Sequence, residues 1–187
     1  MCPGPNFFGS EGVEVDARGR LHLAILRKRT GWLCSEVVLD RSLGYGEYRF
    51  GIRTSALDRN AVFGMFLWDA GAPRLHYREV DVELSRWGDP REPNAQFAVQ
   101  PHQRPGNLVR FELPEGRADL SLEWRPGGLF CQASVSGRVV KQHRFTRGIA
   151  TQGNERVRMN LWLYRGAPPA GGKAVEVVVE RFAFMPA

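Results

Sequence analysis

The stretch Arg78-Glu79-Val80-Asp81-Val82-Glu83-Leu84 alternates acidic side chains with apolar ones. Successive side chains of an extended strand point to opposite faces, so the pattern predicts a strand with its carboxylates on one face and Val80, Val82 and Leu84 in a core. Same-face neighbours on a strand lie about 7 Å apart. Carboxylates this close repel one another when ionised, so at least one of them is expected to hold its proton unusually tightly.

The rest of the chain repeats this short alternation between turns. The 187 residues include 21 Gly and 12 Pro, and residues 45–53 place Tyr48, Phe50 and Ile52 on one face. Residues 62–68 form an apolar run, which suits a strand buried on both faces. This spacing predicts an all-β fold, a sandwich of two antiparallel sheets. The other predicted strands span residues 13–15, 21–25, 32–39, 79–84, 94–100, 108–113, 119–124, 129–135, 139–145, 157–164 and 174–180.

Length and composition narrow the class of protein. The length fits an N-terminal segment over residues 1–12 followed by a single sandwich domain over residues 13–187. Apolar residues make up 43% of the chain, which argues against disorder, and no apolar run has the roughly 18 residues that a membrane span needs. The net charge of +6 comes from scattered arginines without a basic stripe. We therefore expect a monomer with no membrane and no nucleic-acid partner.

The cysteines and histidines show no metal-ligand or redox spacing. Cys34 and Cys131 lie in predicted strands and are most simply buried thiols, although their spacing leaves a disulfide between them open. The histidines are too far apart for a local ligand pair, so we expect no metal in the chemistry and no cofactor, while a structural cation such as calcium stays open. The start, Met1-Cys2-Pro3-Gly4-Pro5, lacks the basic and apolar regions of a signal peptide. Either the protein stays in the cell or this chain lacks its leader.

Several segments, in order along residues 13–184, resemble glycoside hydrolase family 16, the laminarinase, lichenase and agarase group with a concanavalin A-like jelly-roll fold. The acidic segment fits the family's E-[ILV]-D-[IVAF]-E signature. The resemblance implies a jelly roll and secretion, and the start of the chain leaves the localisation open. The other matching segments are Leu33-Cys34-Ser35-Glu36, Tyr45-Gly46-Glu47-Tyr48-Arg49-Phe50, residues 63–68, Leu122-Glu123-Trp124-Arg125-Pro126-Gly127-Gly128-Leu129, Met159-Asn160-Leu161-Trp162 and residues 175–184.

The resemblance implies that Glu79 is a nucleophile and Glu83 a general acid/base, with Asp81 between them setting their protonation. Acid-catalysed glycosidic cleavage needs two carboxyl groups of different proton affinity. Cα atoms four residues apart on a strand lie about 13 Å apart, whereas a retaining pair has its carboxyl groups about 5–5.5 Å apart. Two Glu side chains leaning over a shorter Asp close most of this gap, and a bulge in the segment would break the arrangement.

The expected function is therefore a retaining, endo-acting glycoside hydrolase or transglycosylase with a polysaccharide or oligosaccharide substrate. Sugar rings stack their apolar faces on aromatic side chains, so tryptophans belong beside the carboxylates, although core packing is the alternative for each. The two glutamines on the next predicted strand share a face, where they bond sugar hydroxyls or face solvent. The substrate-binding candidates are Trp162, Trp87, Trp68, Gln96, Gln100 and Asn160.

Three departures from the family pattern keep other functions open. Ala98 stands where many members have Asn, Ser136-Gly137 replaces a common Asp-Gly turn, and the chain is short. A carbohydrate-binding, lectin-like jelly roll with an idle triad is therefore the alternative. A structural or assembly protein is a third hypothesis, and it predicts a concave face poor in aromatic side chains. No motif specifies the sugar, or chooses between hydrolysis and transfer.

Overall fold

The computed structural model describes residues 4–187, and this part of the chain is built almost entirely from antiparallel strands. Between them lie short 3₁₀ segments at Ser10–Gly12, Pro73–Arg78 and Tyr164–Gly166. No helix in the described residues has the length and apolar character to cross a membrane. The strands are β1 (Phe7–Phe8), β2 (Val13–Val15), β3 (Leu21–Lys28), β4 (Gly31–Val38), β5 (Gly46–Thr54), β6 (Ala61–Trp68), β7 (Val80–Leu84), β8 (Ala95–Val99), β9 (Leu108–Phe111), β10 (Gly116–Arg125), β11 (Gly128–Val135), β12 (Arg138–Phe145), β13 (Arg156–Leu163) and β14 (Val175–Pro186).

The strands form two layers of one curved, hydrogen-bonded path. The first layer runs β12-β11-β10-β5-β14-β3, and the second runs β4-β13-β6-β7-β8-β9. The layers join where the ends of β3 and β4 pair, from Leu26 opposite Leu33 to Lys28 opposite Gly31. The predicted all-β sandwich of jelly-roll type is confirmed.

The core lies between the layers and follows the predicted alternation. Tyr48, Phe50 and Ile52 of β5 are fully buried, as expected for one face of this strand. The second layer contributes Phe63, Met65, Leu67, Val82, Phe97 and Leu161 to the core. The side chains of opposite parity on β6, β7, β8 and β13 consequently lie on the outer face of the second layer, which is called the cleft face below.

The strand ends differ from the predicted ones for identifiable reasons. β7 begins at Val80, because the N–H of Glu79 bonds the carbonyl of His76 and closes the preceding 3₁₀ segment. β14 continues to Pro186, because after a register shift that follows Val179 it keeps pairing with β5 as far as Pro186. The pairing of β1 with β4, parallel, was not expected from the sequence.

The two cysteines that lie in strands do not form the disulfide that their spacing left open. Cys34 and Cys131 are both free and buried, so no disulfide joins them. Burial raises the pKa of the Cys34 thiol to about 11. Both therefore behave as small core side chains, and Cys2 lies outside the described residues.

Candidate active site

Glu79, Asp81 and Glu83 lie side by side on the cleft face. β7 pairs with β6 and β8 without a register shift, so no bulge breaks the alternation, and Val80 and Val82 are buried on the opposite face. Glu79 precedes β7, but its backbone is extended (φ −77°, ψ 132°), and its carbonyl accepts a hydrogen bond from the N–H of Gln100 at 3.1 Å. All three carboxyl groups consequently line the same cleft.

Glu83 stands in a row of side chains that crosses the second layer. A Cβ at Gly64, beside Glu83 in this row, would lie 2.7 Å from Oδ1 of Asn160. Glycine at this position therefore leaves the space that Asn160 occupies. From β4 to β9, the register aligns Glu36, Asn160, Gly64, Glu83, Gln96 and Arg110.

The two candidate glutamines hold two of the carboxyl groups. Nε2 of Gln96 donates to Oε2 of Glu83 at 2.6 Å, and Nε2 of Gln100 donates to Oδ2 of Asp81 at 3.1 Å. Oε1 of Gln100 accepts the backbone N–H of His102 at 3.0 Å, which orients its amide. The amide N–H groups thus contact the acidic row instead of open solvent. Any hydrogen bond to a sugar would come in addition to these contacts.

Burial dominates the protonation of the acidic row. It raises the pKa of Glu83 to about 7, against the hydrogen bond from Gln96 and the charge of Arg110. Burial, and then the charge of Glu83, raise the pKa of Glu79 to about 7. Burial and both glutamates raise the pKa of Asp81 well above its usual range. A hydrogen bond between Asp81 and Glu79 lowers the pKa of Glu79 and raises the pKa of Asp81, which are the directions expected when the shared proton lies on Asp81.

Aromatic side chains flank the acidic row on both sides. On one side Trp68 stacks on Tyr77, with ring centroids 4.6 Å apart and planes at 21°. On the other side the ring of Trp87 lies 6.1 Å from Trp162 and 5.4 Å from Tyr164, both edge-on. All of these rings line the cleft. The aromatic-poor face that a structural or assembly protein predicts is therefore not what this face shows.

Trp87 reaches the cleft by a route that the alternation did not predict. The alternation of the acidic strand would place Trp87 on the same face only if that strand continued, and β7 ends at Leu84. Trp87 instead has a left-handed backbone (φ 52°), and its N–H bonds Oγ of Ser85 at 2.9 Å. This turn places the indole against Trp162.

Several cleft residues were not singled out from the sequence. Two of them form an ion pair, in which Nη1 of Arg158 donates to Oε1 of Glu36 at 2.7 Å. Arg158 could have been found from its parity, since it lies two residues before Asn160 on one strand. The other residues lie on strands or loops that are distant in sequence, and the sequence alone does not show that strand pairing brings them to the cleft. The residues missed are Glu36, Phe66, Tyr77, Asp89, Glu92, Arg110, Arg158 and Tyr164.

We expect Gly64→Ala to lower the free energy of unfolding by about 1–3 kcal/mol, because the new methyl group overpacks the site of the buried Asn160 amide. Urea unfolding measures the loss. Gly128→Ala is the matched control, since its Cβ would meet nothing closer than 3.9 Å. Equal midpoints for wild type and Gly64→Ala would contradict the packing described for this row.

Solved structures with this fold include β-glucanases. The chain is 17% identical to a Bacillus licheniformis β-glucanase, with a TM-score of 0.73 over 97% of this chain and 86% of that chain. It is 17% identical to a prokaryotic β-1,3-1,4-glucanase (lichenase) derived from a mouse hindgut metagenome, with a TM-score of 0.76 over 99% of this chain and 89% of that chain.

A third likeness is to a Mycobacterium tuberculosis protein described as an immunostimulatory antigen and pseudo β-1,3-glucanase. The identity is 17%, and the TM-score is 0.71 over 96% of this chain and 81% of that chain. No protein-family model and no curated protein matches the chain. At these identities the likeness is one of fold. The chain thus has the jelly-roll fold of these β-glucanases, as the resemblance in its motifs implied.

Proposed function

We propose that this protein is a retaining glycoside hydrolase of the family 16 type that cleaves internal β-glycosidic bonds of a polysaccharide. The observation that carries the proposal is the row of Glu79, Asp81 and Glu83 in a cleft lined by aromatic side chains. Retaining cleavage needs a carboxylate and a neutral carboxylic acid held close together. Burial, which raises the pKa of Glu83 to about 7, keeps a proton available near neutral pH.

In the proposed mechanism, Glu79 attacks the anomeric carbon as a carboxylate while neutral Glu83 protonates the glycosidic oxygen. The bond between the anomeric carbon and that oxygen breaks, and a glycosyl ester forms on Glu79. Glu83, now ionised, takes a proton from a water molecule that attacks the same carbon and releases Glu79. Protonated Asp81 donates to Glu79 and stabilises its charge before the attack. A sugar hydroxyl in place of the water gives transglycosylation.

The charges in the cleft favour an uncharged polymer. The lining arginines are both ion-paired, Arg110 with Glu92 and Arg158 with Glu36. The excess of carboxylates in the cleft would repel a sulfated or uronic-acid polymer, whereas an uncharged glucan would experience no such repulsion. The lining also continues on both sides of the acidic row, which supports cleavage inside a chain. The carboxyl groups of this lining belong to Glu36, Glu79, Asp81, Glu83, Asp89 and Glu92.

Asn160 has a fixed amide orientation in the cleft. Its Nδ2 donates to Oε2 of Glu36 at 3.4 Å, and because a carboxylate only accepts, the orientation of the amide is determined. Oδ1 of Asn160 is then buried without a hydrogen-bond partner among the described residues. Leaving such an acceptor unpaired costs about 1–3 kcal/mol. A sugar hydroxyl would satisfy it only if the atoms that cover Oδ1 moved aside on binding.

Reducing-end release from laminarin, mixed-linkage glucan, xyloglucan, agarose and carrageenan tests the proposed function. We expect cleavage of one uncharged polymer, with a rapid loss of viscosity that marks internal cuts. Proton NMR of the first product should show the β-anomer, since two displacements retain the configuration. The α-anomer as first product would contradict the retaining mechanism, and no release from any polymer would contradict the hydrolase.

A carbohydrate-binding protein with an idle triad is the second candidate. The likeness to a pseudo β-1,3-glucanase favours it, because that fold is then compatible with lost activity. Binding of an oligosaccharide to wild type and to Glu79→Gln discriminates the two candidates. A binding protein gives equal affinity and no turnover in both, whereas the hydrolase turns over in the wild type alone.

We expect Trp162→Ala, made in the inactive Glu79→Gln background, to weaken oligosaccharide binding about 5–30-fold. The indole lines both halves of the cleft, and losing one stacking contact removes about 1–2 kcal/mol. Isothermal titration calorimetry measures the change. Trp32→Ala is the control, since this indole contacts Arg27 outside the cleft. Equal losses in both variants, or none in Trp162→Ala, would remove Trp162 from the substrate site.

A further inference from the structure

We infer that Arg110 is a positioning residue that, by orienting the amide of Gln96, determines which oxygen of Glu83 carries the proton. The inference rests on the proposed function, and it concerns a side chain on β9, two strands from the acidic row. The guanidinium group of Arg110 is able only to donate hydrogen bonds, and this property orients each group between it and Glu83.

The first step is the orientation of Gln96. Nε of Arg110 donates to Oε1 of Gln96 at 3.2 Å. A guanidinium group has five N–H donors and no acceptor, so the Gln96 atom in contact with it has to be the carbonyl oxygen. The amide nitrogen therefore faces Glu83 and donates to its Oε2 at 2.6 Å. Gln96 is only 6% exposed, so solvent hardly competes for either contact.

The second step is the position of the proton on Glu83. Because Oε2 accepts the N–H of Gln96, it is the carbonyl oxygen when the group is neutral, and the hydroxyl is then at Oε1. Oε2 is held toward β8, whereas Oε1 is free to direct its proton into the cleft. After that proton moves to the glycosidic oxygen, the same Oε1 is available as the base for the incoming water. The proton is thus located before the substrate arrives.

The third step is the support of Arg110 itself. Nη1 donates to Oε2 of Glu92, and the guanidinium carbon lies 5.6 Å from the ring centroid of Trp87, within cation–π range. Arg110 is therefore held from two sides while its Nε is directed at Gln96. A role limited to the ion pair with Glu92 would not account for this third contact.

Removing Arg110 has two expected consequences for Glu83. The positive charge that lowers the pKa of Glu83 is lost, and the amide of Gln96 becomes free to turn its carbonyl toward Glu83. The proton would then move to Oε2 and away from the cleft.

From β6 only Gly64 lies opposite Glu83. The charged or titratable groups that line the cleft around it are Glu79, Asp81, Glu36, Arg158, Asp89, Glu92, Arg110, His102, Tyr77 and Tyr164.

A titration without substrate tests the inference. Carbon NMR of labelled glutamate carboxyl groups follows Glu83, whose signal is identified by its loss in Glu83→Gln. We expect its pKa to rise by about 1 pH unit in Arg110→Met and by less in Arg110→Lys, which keeps the charge and a donor. Arg117→Met, a 71% exposed arginine paired with Glu180 on the first layer, is the matched control and should leave the pKa unchanged.

Kinetics add a readout that a loss of packing would not produce. In Arg110→Met we expect kcat to fall about 10–100-fold at nearly constant KM, with the basic limb of the pH profile moved upward with the pKa of Glu83. An unchanged Glu83 titration would overturn the inference, as would an equal shift in Arg117→Met. If Arg110→Met does not fold, Gln96→Met answers the same question, because it removes the amide and should also raise the pKa of Glu83. A shifted titration in a protein without turnover would keep the placement of the proton and reject the hydrolase.

Discussion

Glu79→Gln is expected to lower the rate of polysaccharide cleavage about 10⁴–10⁶-fold, and Glu83→Gln about 10²–10⁴-fold. An amide at position 79 has no carboxylate to form the glycosyl ester, and an amide at position 83 has no acidic proton to give to the leaving oxygen. Both variants keep the size of the side chain. The measurement is kcat/KM on the polymer that the wild type cleaves.

The two roles separate with an aryl glycoside whose leaving group needs no protonation. Glu83→Ala should form the glycosyl ester from such a substrate and then stall, and added azide should restore turnover and yield a β-glycosyl azide. Glu79→Ala forms no glycosyl ester, so azide can act there only in place of the missing carboxylate, in one inverting displacement that gives the α-glycosyl azide. Glu47→Gln, on the outer face of the first layer and paired with Arg49, is the control and should keep the wild-type rate. Azide rescue of Glu79→Ala with the β-azide as product would reverse the assigned roles.

Glu83→Gln is also expected to stabilise the protein above about pH 7, by up to about 3 kcal/mol. Burial raises the pKa of Glu83 to about 7 from an ordinary value of 4.5, so the folded protein binds this proton more tightly than the unfolded chain. Wild-type stability therefore falls as the pH rises from about 4.5 to about 7, where the buried group ionises. Glutamine never ionises and escapes this loss.

Urea unfolding at about pH 4, 6 and 8 measures this effect. The difference between Glu83→Gln and wild type should be near zero at the lowest pH and largest at the highest. Glu47→Gln removes a partly exposed carboxylate of the first layer and should show no comparable dependence on pH. A stabilisation of Glu83→Gln that does not depend on pH would show that burial does not act on the charge of Glu83. The acidic row thus combines a gain in reactivity with a loss of stability.

The fold was largely predictable from local pattern. Every segment predicted as a strand overlaps an observed one, because the alternation of β5 and β7 reflects burial on a single face. β1 was missed, since two residues show no period and its pairing with β4 is a distant contact. The route by which Trp87 reaches the cleft was not predicted, because the left-handed turn at this residue has no clear signal in a Trp-Gly pair.

The candidate site was likewise predictable only where it depends on local sequence pattern. By itself, the sequence determined that Glu79, Asp81 and Glu83 share a face, because side-chain direction in an extended backbone is a local property with a period of two residues. Only the tertiary structure decided their surroundings. Gln96 lies 13 residues from Glu83, and Arg158 lies 122 from Glu36. Strand register brings such distant residues together, and the protonation of the row, the orientation of the amides and the aromatic lining all depend on those neighbours.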